Sequence, residues 1–426
     1  MRKSTRLRRG ENDPSERPFE LTVAHVCIHT LEPMEHGGVM AKVRVAAELL
    51  RRCGHSPSLL YTATDQVPTG GWGAKLRYFL QHPRPYLTEF QGYQGLAFPH
   101  WPLPIWATYA LPWFSARNAH TNCVFQVVVS GAAHCGLPAA LSGVRFIVWI
   151  STLYTDELSG RALAGDRWAV KTGSGLSARI LRWEEKFVLE RASLVLANGG
   201  YIADRIRSSF PAVNERVRVA IYPVDTDVFQ PYSPDLMHPH SDPYLLFTGR
   251  INDPRKNVGM LFKAFARVRE RRPNLKFILT GDQPWENVRT MAADAGVAAD
   301  VGFVGRQTES ELVRLYQGAE LFVLSSNQEG LGISVLEAMA CGTPVVSTRC
   351  GGPESVLTEG HTGFLVPLND DAAMSERILQ ILSDPKLMAS MRENCVRSAK
   401  ETFSRPEVEK ILVKAFHDVY PEHFQS

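Results

Sequence analysis

Short runs of Val, Ile, Leu and Phe alternate along this chain with longer stretches in which apolar residues recur every three or four positions. In the second half the runs are YLLFTGR, LKFILTGD, VGFVGR, ELFVLSS, TPVVST and TGFLVP, and NVGMLFKAFARVRERR and ESELVRLYQG are two of the helical patterns between them. A run that is apolar at successive positions is buried on both faces, so strands and helices alternating at this spacing predict a doubly wound parallel sheet. The first half repeats the rhythm less cleanly. LTVAHVCIHT at 21–30 reads as a buried strand, and EPMEHGGVMAKVRVAAELLRRCGH after it reads as a glycine turn and an amphipathic helix. NCVFQVVVSG, AAHCGLPAALSG and VRFIVWIST restore the alternation, a long helix is expected over about 176–191, and the strand ASLVLAN is followed by another ending near Tyr222. The fold class expected is therefore α/β, with two Rossmann-like doubly wound domains facing each other across a cleft. The boundaries are a basic tail at 1–19, a first domain at 20–227, a linker at 228–242, a second domain at 243–400, and a C-terminal helix at 401–426 crossing back to the first domain.

One stretch breaks the rhythm. From 72 to 114 the chain is dense in aromatic residues, and no charge occurs between Glu89 and Arg117. That length suits a membrane span, but Pro99, Pro102, Pro104 and Pro112 would each break a helix, so a transmembrane segment is rejected. An irregular, partly buried insertion is expected instead, either a loop packed on its domain or an acceptor groove facing a lipid-linked substrate.

Composition narrows the classes. A chain of 426 residues with 44% hydrophobic and 21% charged residues is globular, and its net charge of +3 leaves no strong nucleic-acid footprint. The seven cysteines are scattered and never spaced as CxxC, which reads as a reducing compartment. MRKSTRLRRG at the N-terminus is basic but leads into no apolar segment, so it reads as a solvated tail or a contact with anionic headgroups rather than a secretory signal. The expected location is cytoplasmic, or peripheral at the inner membrane face.

Candidate chemistry gathers in 325–352, SSNQEGLGISVLEAMACGTPVVSTRCGG. Glu329 and Glu337 stand eight positions apart around a glycine-punctuated turn, up to roughly 12 Å apart at 1.5 Å per helical residue, too far to share a proton or a small metal. They are placed to grip two ends of one long ligand. If Gly330 and Gly332 open a helix, its free N–H groups form a site for phosphate. GRINDPRKN at 249–257 leaves a strand with Arg250 and Lys256 at its C-terminal edge, where one guanidinium fork and one point charge suit a diphosphate. Gly37 and Gly38 precede the first helix, where backbone can approach a ligand closely, although no GxGxxG is present. His134 lies just beyond the C-terminal end of a strand, the ligand edge of an open α/β sheet. KTGSG at 171–175 lacks the spacing of a P-loop. Asp225 and Asp227 invite a divalent ion, but the linker-like segment after them argues against it, and no metal site is expected.

GRINDPRKNVGMLFKAFARV, LTGD, VGFVGRQTESELVRLYQGAELFVLSS, EGLGISVLEAMACGTPVVSTRCGGPESV and TGFLVP together resemble the nucleotide-binding domain of glycosyltransferase family 4, the glycosyl transferases group 1. The resemblance is close over about 245–367 and looser in the first half. It implies a GT-B fold, a nucleotide-sugar donor, retention of anomeric configuration, and no cofactor or obligatory metal. Carried onto this chain, Arg250 and Lys256 would neutralise the donor diphosphate, Glu337 would accept from the ribose hydroxyls, and Glu329 would contact the transferred sugar. Backbone at Gly330, Leu331 and Gly332 would line sugar and phosphate, Gly37 and Gly38 would approach from the other domain, and His134 matches a histidine near the donor sugar. Three departures stand out: Tyr222 and Pro223 replace asparagine and glycine, Gln283 replaces a second glycine, and Trp149 to Thr152 stand where a histidine is frequent. The acceptor is a glycan, a lipid-linked or a small molecule. A sugar-nucleotide epimerase and a non-catalytic sugar-nucleotide-binding protein are the alternatives.

Overall fold

The computed structural model describes residues 26–31, 37–63, 72–81, 85–99, 107, 109, 123–231 and 242–424. The basic tail, residues 21–25 of the first expected strand, much of the aromatic stretch and linker residues 232–241 lie outside them. In the first half the strands are β1 (Val26–Thr30), β2 (Pro57–Ala63), β3 (Tyr86–Phe90), β4 (Tyr93–Pro99), β5 (Phe125–Ser130), β6 (Ile147–Ile150), β7 (Leu194–Ala197) and β8 (Val217–Val219). They form one sheet in the order β3-β4-β2-β1-β5-β6-β7-β8, parallel except for the antiparallel edge strand β3. In the second half β9 (Tyr244–Gly249), β10 (Lys276–Gly281), β11 (Val301–Gly305), β12 (Leu321–Leu324), β13 (Val345–Thr348) and β14 (Gly363–Val366) form an all-parallel sheet, β11-β10-β9-β12-β13-β14. The central strands are buried end to end because helices cover both faces, which is why their sequences read as continuous apolar runs.

In each sheet the strand order reverses once near the middle, between β1 and β5 in the first and between β9 and β12 in the second. A ligand crevice opens at such a switch point, beyond the carboxyl ends of the strands, because the connecting helices there leave to opposite faces. The two switch points carry the glycine turn at Gly37 and the loop of His134 in one domain, and the loops of Lys256 and Glu329 in the other.

The chain crosses between the domains twice, and the crossings lie side by side: Val224 N–H donates to Phe403 O at 2.9 Å, and Val224 pairs with Ser404. After the second crossing, the helix Arg405–Val419 packs on the first domain, where Leu412, Phe416 and Tyr420 share a core with Val26, Ile28 and Phe125. Helices Asp371–Ser383 and Pro385–Thr402 stay with the second domain, whose core takes Ile378, Ile381, Met391 and Cys395.

Two expectations need correction. The aromatic stretch is not an irregular insertion throughout: it begins with the helix Trp72–Gln81 and continues as the hairpin of β3 and β4, which extends the first sheet. The turn is Gln91 and Gly92, both at positive φ (50° and 76°), the two-residue geometry whose twist matches a hairpin. Residues 82–84, 100–106, 108 and 110–114 of the stretch lie outside the described residues. The cysteines are also not all free, since Cys27 on β1 and Cys123, 96 positions apart, form a disulfide. Among the described residues no helix is long and apolar enough to cross a membrane.

Candidate functional site

The end of β9 runs into a single 3-10 turn, Pro254–Lys256, which the Asp253 carboxylate caps by accepting from Arg255 N–H at 3.1 Å. Asn257 follows in the left-handed region (φ 49°), and the helix Val258–Arg271 starts there. This tight sequence of turns projects Lys256 across the switch point toward the loop that follows β12. There Lys256 Nζ meets Glu329 Oε1 at 2.5 Å, and Ser326 Oγ donates to the same oxygen at 2.6 Å. Burial pushes the Glu329 carboxyl up, but the Lys256 charge and the two hydrogen bonds outweigh it and hold the group below the usual carboxylate range.

The Glu329 backbone is pinned as well, since its N–H donates to Cys350 O at 2.9 Å and its carbonyl accepts from Gly352 N–H at 3.0 Å. Gly332 then caps the helix Ile333–Ala340 with φ 80°, a conformation in which a side chain is strained, so the helix N-terminus opens beside Glu329. Glu337 sits on the second turn of this helix. Tyr316 OH donates to Glu337 Oε2 at 2.8 Å and is in turn 2.8 Å from the Thr248 hydroxyl. Burial pushes the Glu337 carboxyl up to about 7, with the Tyr316 hydrogen bond opposing it. The two carboxylates therefore face opposite environments, one charged and cation-paired, the other poised to titrate near neutrality.

Arg250 is 62% exposed and pairs with Asp253 at 3.0 Å. Asp253 also takes Arg255 at 2.8 Å, and these two cations overcome its burial to hold its carboxyl at about 2. Arg250 is therefore close to the pair of Lys256 and Glu329 in sequence and loop, but is held by an acid of its own.

The first domain closes over this loop cluster. Gly330 lies so near Ser151 that a Cβ added to it would come within 2.8 Å of the Ser151 carbonyl. A Cβ on Gly38 would sit 3.2 Å from Ile333 Cδ1, which puts the glycine turn against the first residue of the Glu337 helix. Gln328 Nε2 donates to Thr152 Oγ1 at 3.2 Å, Tyr201 N–H donates to Ser355 Oγ at 3.0 Å, and Arg255 reaches Glu157 at 3.6 Å. Ser151 and Thr152 belong to the segment in which a histidine is missing, and that segment forms part of the domain contact. Gly37 precedes the first helix at φ 130°, and Leu331 is buried beneath the loop.

His134 is not gathered into this cluster. It is buried in the turn after β5, with Nε2 3.0 Å from the Leu181 carbonyl and rings of Tyr154 and Tyr109 at 4.9 and 5.9 Å. Burial lowers its pKa to about 4, against a smaller opposing effect of the Leu181 contact. Asp225 is engaged locally: its Oδ1 accepts from the N–H groups of Asp227 and Val228, a turn within the chain. Among the described residues no group of three or more His, Cys, Asp or Glu could hold a metal ion.

Sequence reading missed four participants. Ser326 and Tyr316 hold the two carboxylates, and Glu157 reaches Arg255 from the first domain. Lys42, on the first helix, is fully buried with Nζ donating to Ser130 O at 2.7 Å and Trp149 O at 3.3 Å, tying the carboxyl ends of β5 and β6 together. Burial lowers its pKa to about 7. Ser326, three residues before Glu329, was the one with a local signal.

Comparison with known proteins fits this geometry. Residues 229–401 match the family described as Glycosyl transferases group 1. The chain is 31% identical over 251 residues to the D-inositol 3-phosphate glycosyltransferase of Pseudarthrobacter chlorophenolicus, covering 56% of this chain and 59% of that protein. It is 32% identical over 207 residues to the putative glycosyltransferase EpsD of Bacillus subtilis, covering 46% of this chain and 54% of the relative. The chain thus spans between half and two thirds of the length of these curated relatives. Among solved structures, sucrose-phosphate synthase from Thermosynechococcus elongatus superposes with TM-score 0.72 at 19% identity, over 93% of this chain and 99% of its own. Anabaena HepE in complex with UDP and glucose superposes with TM-score 0.68 at 16% identity, over 92% of this chain and 100% of its own. The fold is GT-B.

Proposed function

We propose that this chain is a retaining, metal-independent glycosyltransferase of family 4, which moves a sugar from a nucleoside-diphosphate sugar to a hydroxyl acceptor. The observation that carries this reading is the meeting of Lys256 and Glu329 at the switch point of the second sheet, beside a helix N-terminus and against Ser151 of the first domain. Breaking the bond from sugar to diphosphate places negative charge on the leaving phosphate. Lys256 and the N–H groups at the start of the Ile333–Ala340 helix are fixed donors for that charge. Arg250, whose side chain is 62% exposed, joins them by leaving Asp253, where Arg255 at 2.8 Å stays to pair the carboxylate. Glu337 accepts from the ribose hydroxyls, Glu329 from hydroxyls of the transferred sugar, and the backbone at Gly330, Leu331 and Gly332 lines sugar and phosphate. Gly37 and Gly38 approach from the first domain, and His134 acts as a positioning residue for the turn after β5. The acceptor, a glycan, lipid-linked or small molecule, enters from the first domain, and the location is cytoplasmic or peripheral at the inner membrane face. HepE, a protein of the same fold, was solved with UDP and glucose, which supports a nucleotide-sugar donor here.

The test is a thermal-shift screen of uridine, guanosine and adenosine diphosphate sugars, since binding to the folded state raises its apparent stability. The stabilising donor is then incubated with acceptors. Release of free nucleoside diphosphate with a new glycosidic product, unchanged by a chelator, is the expected result. A product that keeps its nucleotide would identify an epimerase instead, and activity lost to the chelator and restored by magnesium would overturn the metal-independent reading.

A further inference from the structure

Lysine is rarely buried, because its ammonium loses the water around it, and where it is buried other polar groups replace that water. Lys42, on the helix Gly38–Arg52, has no exposed surface. Among the described residues no acid pairs with it: Nζ donates to Ser130 O at 2.7 Å and Trp149 O at 3.3 Å, and stands 5.5 Å over the Trp149 ring. β5 and β6 carry no ionisable side chain. On its own helix Glu48 pairs with Arg405 and Arg52 with Glu409, beside the chain crossing, and Arg44 reaches Gln91. His29 on β1 lies, by strand alternation, on the other side of the sheet from Ile28 and bonds with Gln126. Tyr61, Tyr93, Tyr222 and Tyr420 of the surrounding core are phenols without charge near neutrality. The carbonyls of two strand ends are therefore what balances the ammonium.

Those strand ends lead directly to the contact between the domains. Ser130 is the last residue of β5, and Trp149 is the last but one of β6. Just beyond them Gly131 O accepts from the N–H groups of both Ser151 and Thr152 at 2.9 Å, so the two loops are tied to each other. Ser151 and Thr152 are also the residues that meet the Glu329 loop, at Gly330 and Gln328. The helix that carries Lys42 starts at Gly38, against Ile333. One side chain thus joins three parts of the first domain that face the second: the glycine turn, the loop of Gly131, and the segment of Ser151 and Thr152.

We propose that Lys42 is a positioning residue for the first-domain side of the cleft, its ammonium holding the loops after β5 and β6 where Ser151 and Thr152 meet the Glu329 loop. A lysine that only filled the core could be replaced by methionine, of similar length, with no effect on these loops. A charge-assisted hydrogen bond is roughly twice as strong as a neutral one, so the clamp depends on the proton. Burial lowers the pKa of Lys42 to about 7, so the clamp is complete below that value and weakens above it. This is the opposite direction from Glu337, whose anion forms as pH rises through about 7. The inference rests on the proposed sugar transfer for its effect on turnover, and not for its effect on the loops.

The experiment measures amide exchange of the full chain by mass spectrometry, corrected for intrinsic rates, at about pH 6 and about pH 8.5, either side of the lysine's pKa. Protection of the segments around Ser151–Thr152 and Gln328–Gly330 should fall about fivefold at the higher pH, the difference between a charged and a neutral donor. In Lys42→Met it should be low at both values. The variant should bind uridine, guanosine or adenosine diphosphate as the wild type does, yet release nucleoside diphosphate from the sugar donor roughly 10- to 100-fold more slowly, as a misplaced loop would cause. Near-ultraviolet circular dichroism checks its folding, and the wild-type comparison of the two pH values decides the matter if it does not fold. Wild-type protection that ignores pH, or a folded Lys42→Met with wild-type loop protection or turnover, overturns the proposal. A wild type that neither binds nor releases a nucleoside diphosphate refutes sugar transfer instead, and the exchange measurement still decides the role of Lys42.

Discussion

Replacing Lys256 by alanine tests the site where stability and turnover meet. The lysine and Glu329 are 15% and 14% exposed, so the pair is largely out of water. Removing one partner of such a pair leaves an uncompensated buried charge, which costs about 3 kcal/mol, the lower end of the usual range because Ser326 still donates to the carboxylate. The carboxyl of Glu329 then loses the cation that holds it low and rises with burial, the first cause acting on it. Turnover should fall further than stability explains, by roughly 10² to 10³, the loss expected when a fixed donor to a leaving-group charge is removed. The double variant Lys256→Met with Glu329→Gln separates the two effects: it should recover most of the lost stability, since no buried charge is left unpaired, while turnover stays low. Urea denaturation and the rate of nucleoside-diphosphate release measure the two quantities. A folded Lys256→Ala protein with near-wild-type turnover would refute the assigned role, and strictly additive stability losses would refute the coupling.

Two further predictions follow from the geometry. Glu337 has its carboxyl pushed up to about 7, and ribose hydroxyls need its anion as acceptor, so donor affinity should fall about tenfold per unit as pH drops below 7 and level off above it; titration calorimetry should show that Glu337→Gln abolishes this dependence. Gly330→Ala would place a Cβ 2.8 Å from the Ser151 carbonyl, so turnover should fall on the order of tenfold or more through a hindered closure, with the melting temperature nearly unchanged; an unchanged rate would show that the two domains do not close this far during catalysis.

Much of the second domain was legible because its local signals agree with one another. Buried parallel strands read as continuous apolar runs, and Lys256, Glu329 and Glu337 fall at strand and helix ends that the pattern places on one edge of the sheet. The first domain was harder. Its hairpin of β3 and β4 joins through Gln91 and Gly92, a turn without the usual Asn-Gly signature, and the prolines that follow masked the regular strands before them. The disulfide of Cys27 and Cys123 depends on the long-range placement of β1 beside β5, which spacing alone cannot reveal. His134 carried a sound positional argument, yet the direction of a side chain at a strand end is set by packing, here by the Leu181 carbonyl and two tyrosine rings. Lys42 had no signal at all, because a lysine within an amphipathic helix reads as solvated until the strand ends that accept its hydrogen bonds are known.

The two carboxylates illustrate what the structure adds. Spacing alone assigned them to opposite ends of a ligand, and their environments now differ in the same sense. Glu329 spends one oxygen on Lys256 and Ser326, so it meets a donor as a committed anion within a hydrogen-bonded array. A covalent nucleophile needs an oxygen free to reach the anomeric carbon, and in this arrangement attack would have to come from Oε2 while Oε1 stays tied to Lys256. In the proposed donor complex the same lysine would face the diphosphate, so donor binding and Glu329 would compete for it. Our reading is that the phosphate wins: it draws Lys256 toward itself, the carboxylate turns to the sugar hydroxyls, and the pair of Lys256 and Glu329 becomes the element that senses the donor. On the same proposal Glu337, whose carboxyl burial raises to about 7, would report on the nucleoside end of the same ligand as ribose hydroxyls favour its anion.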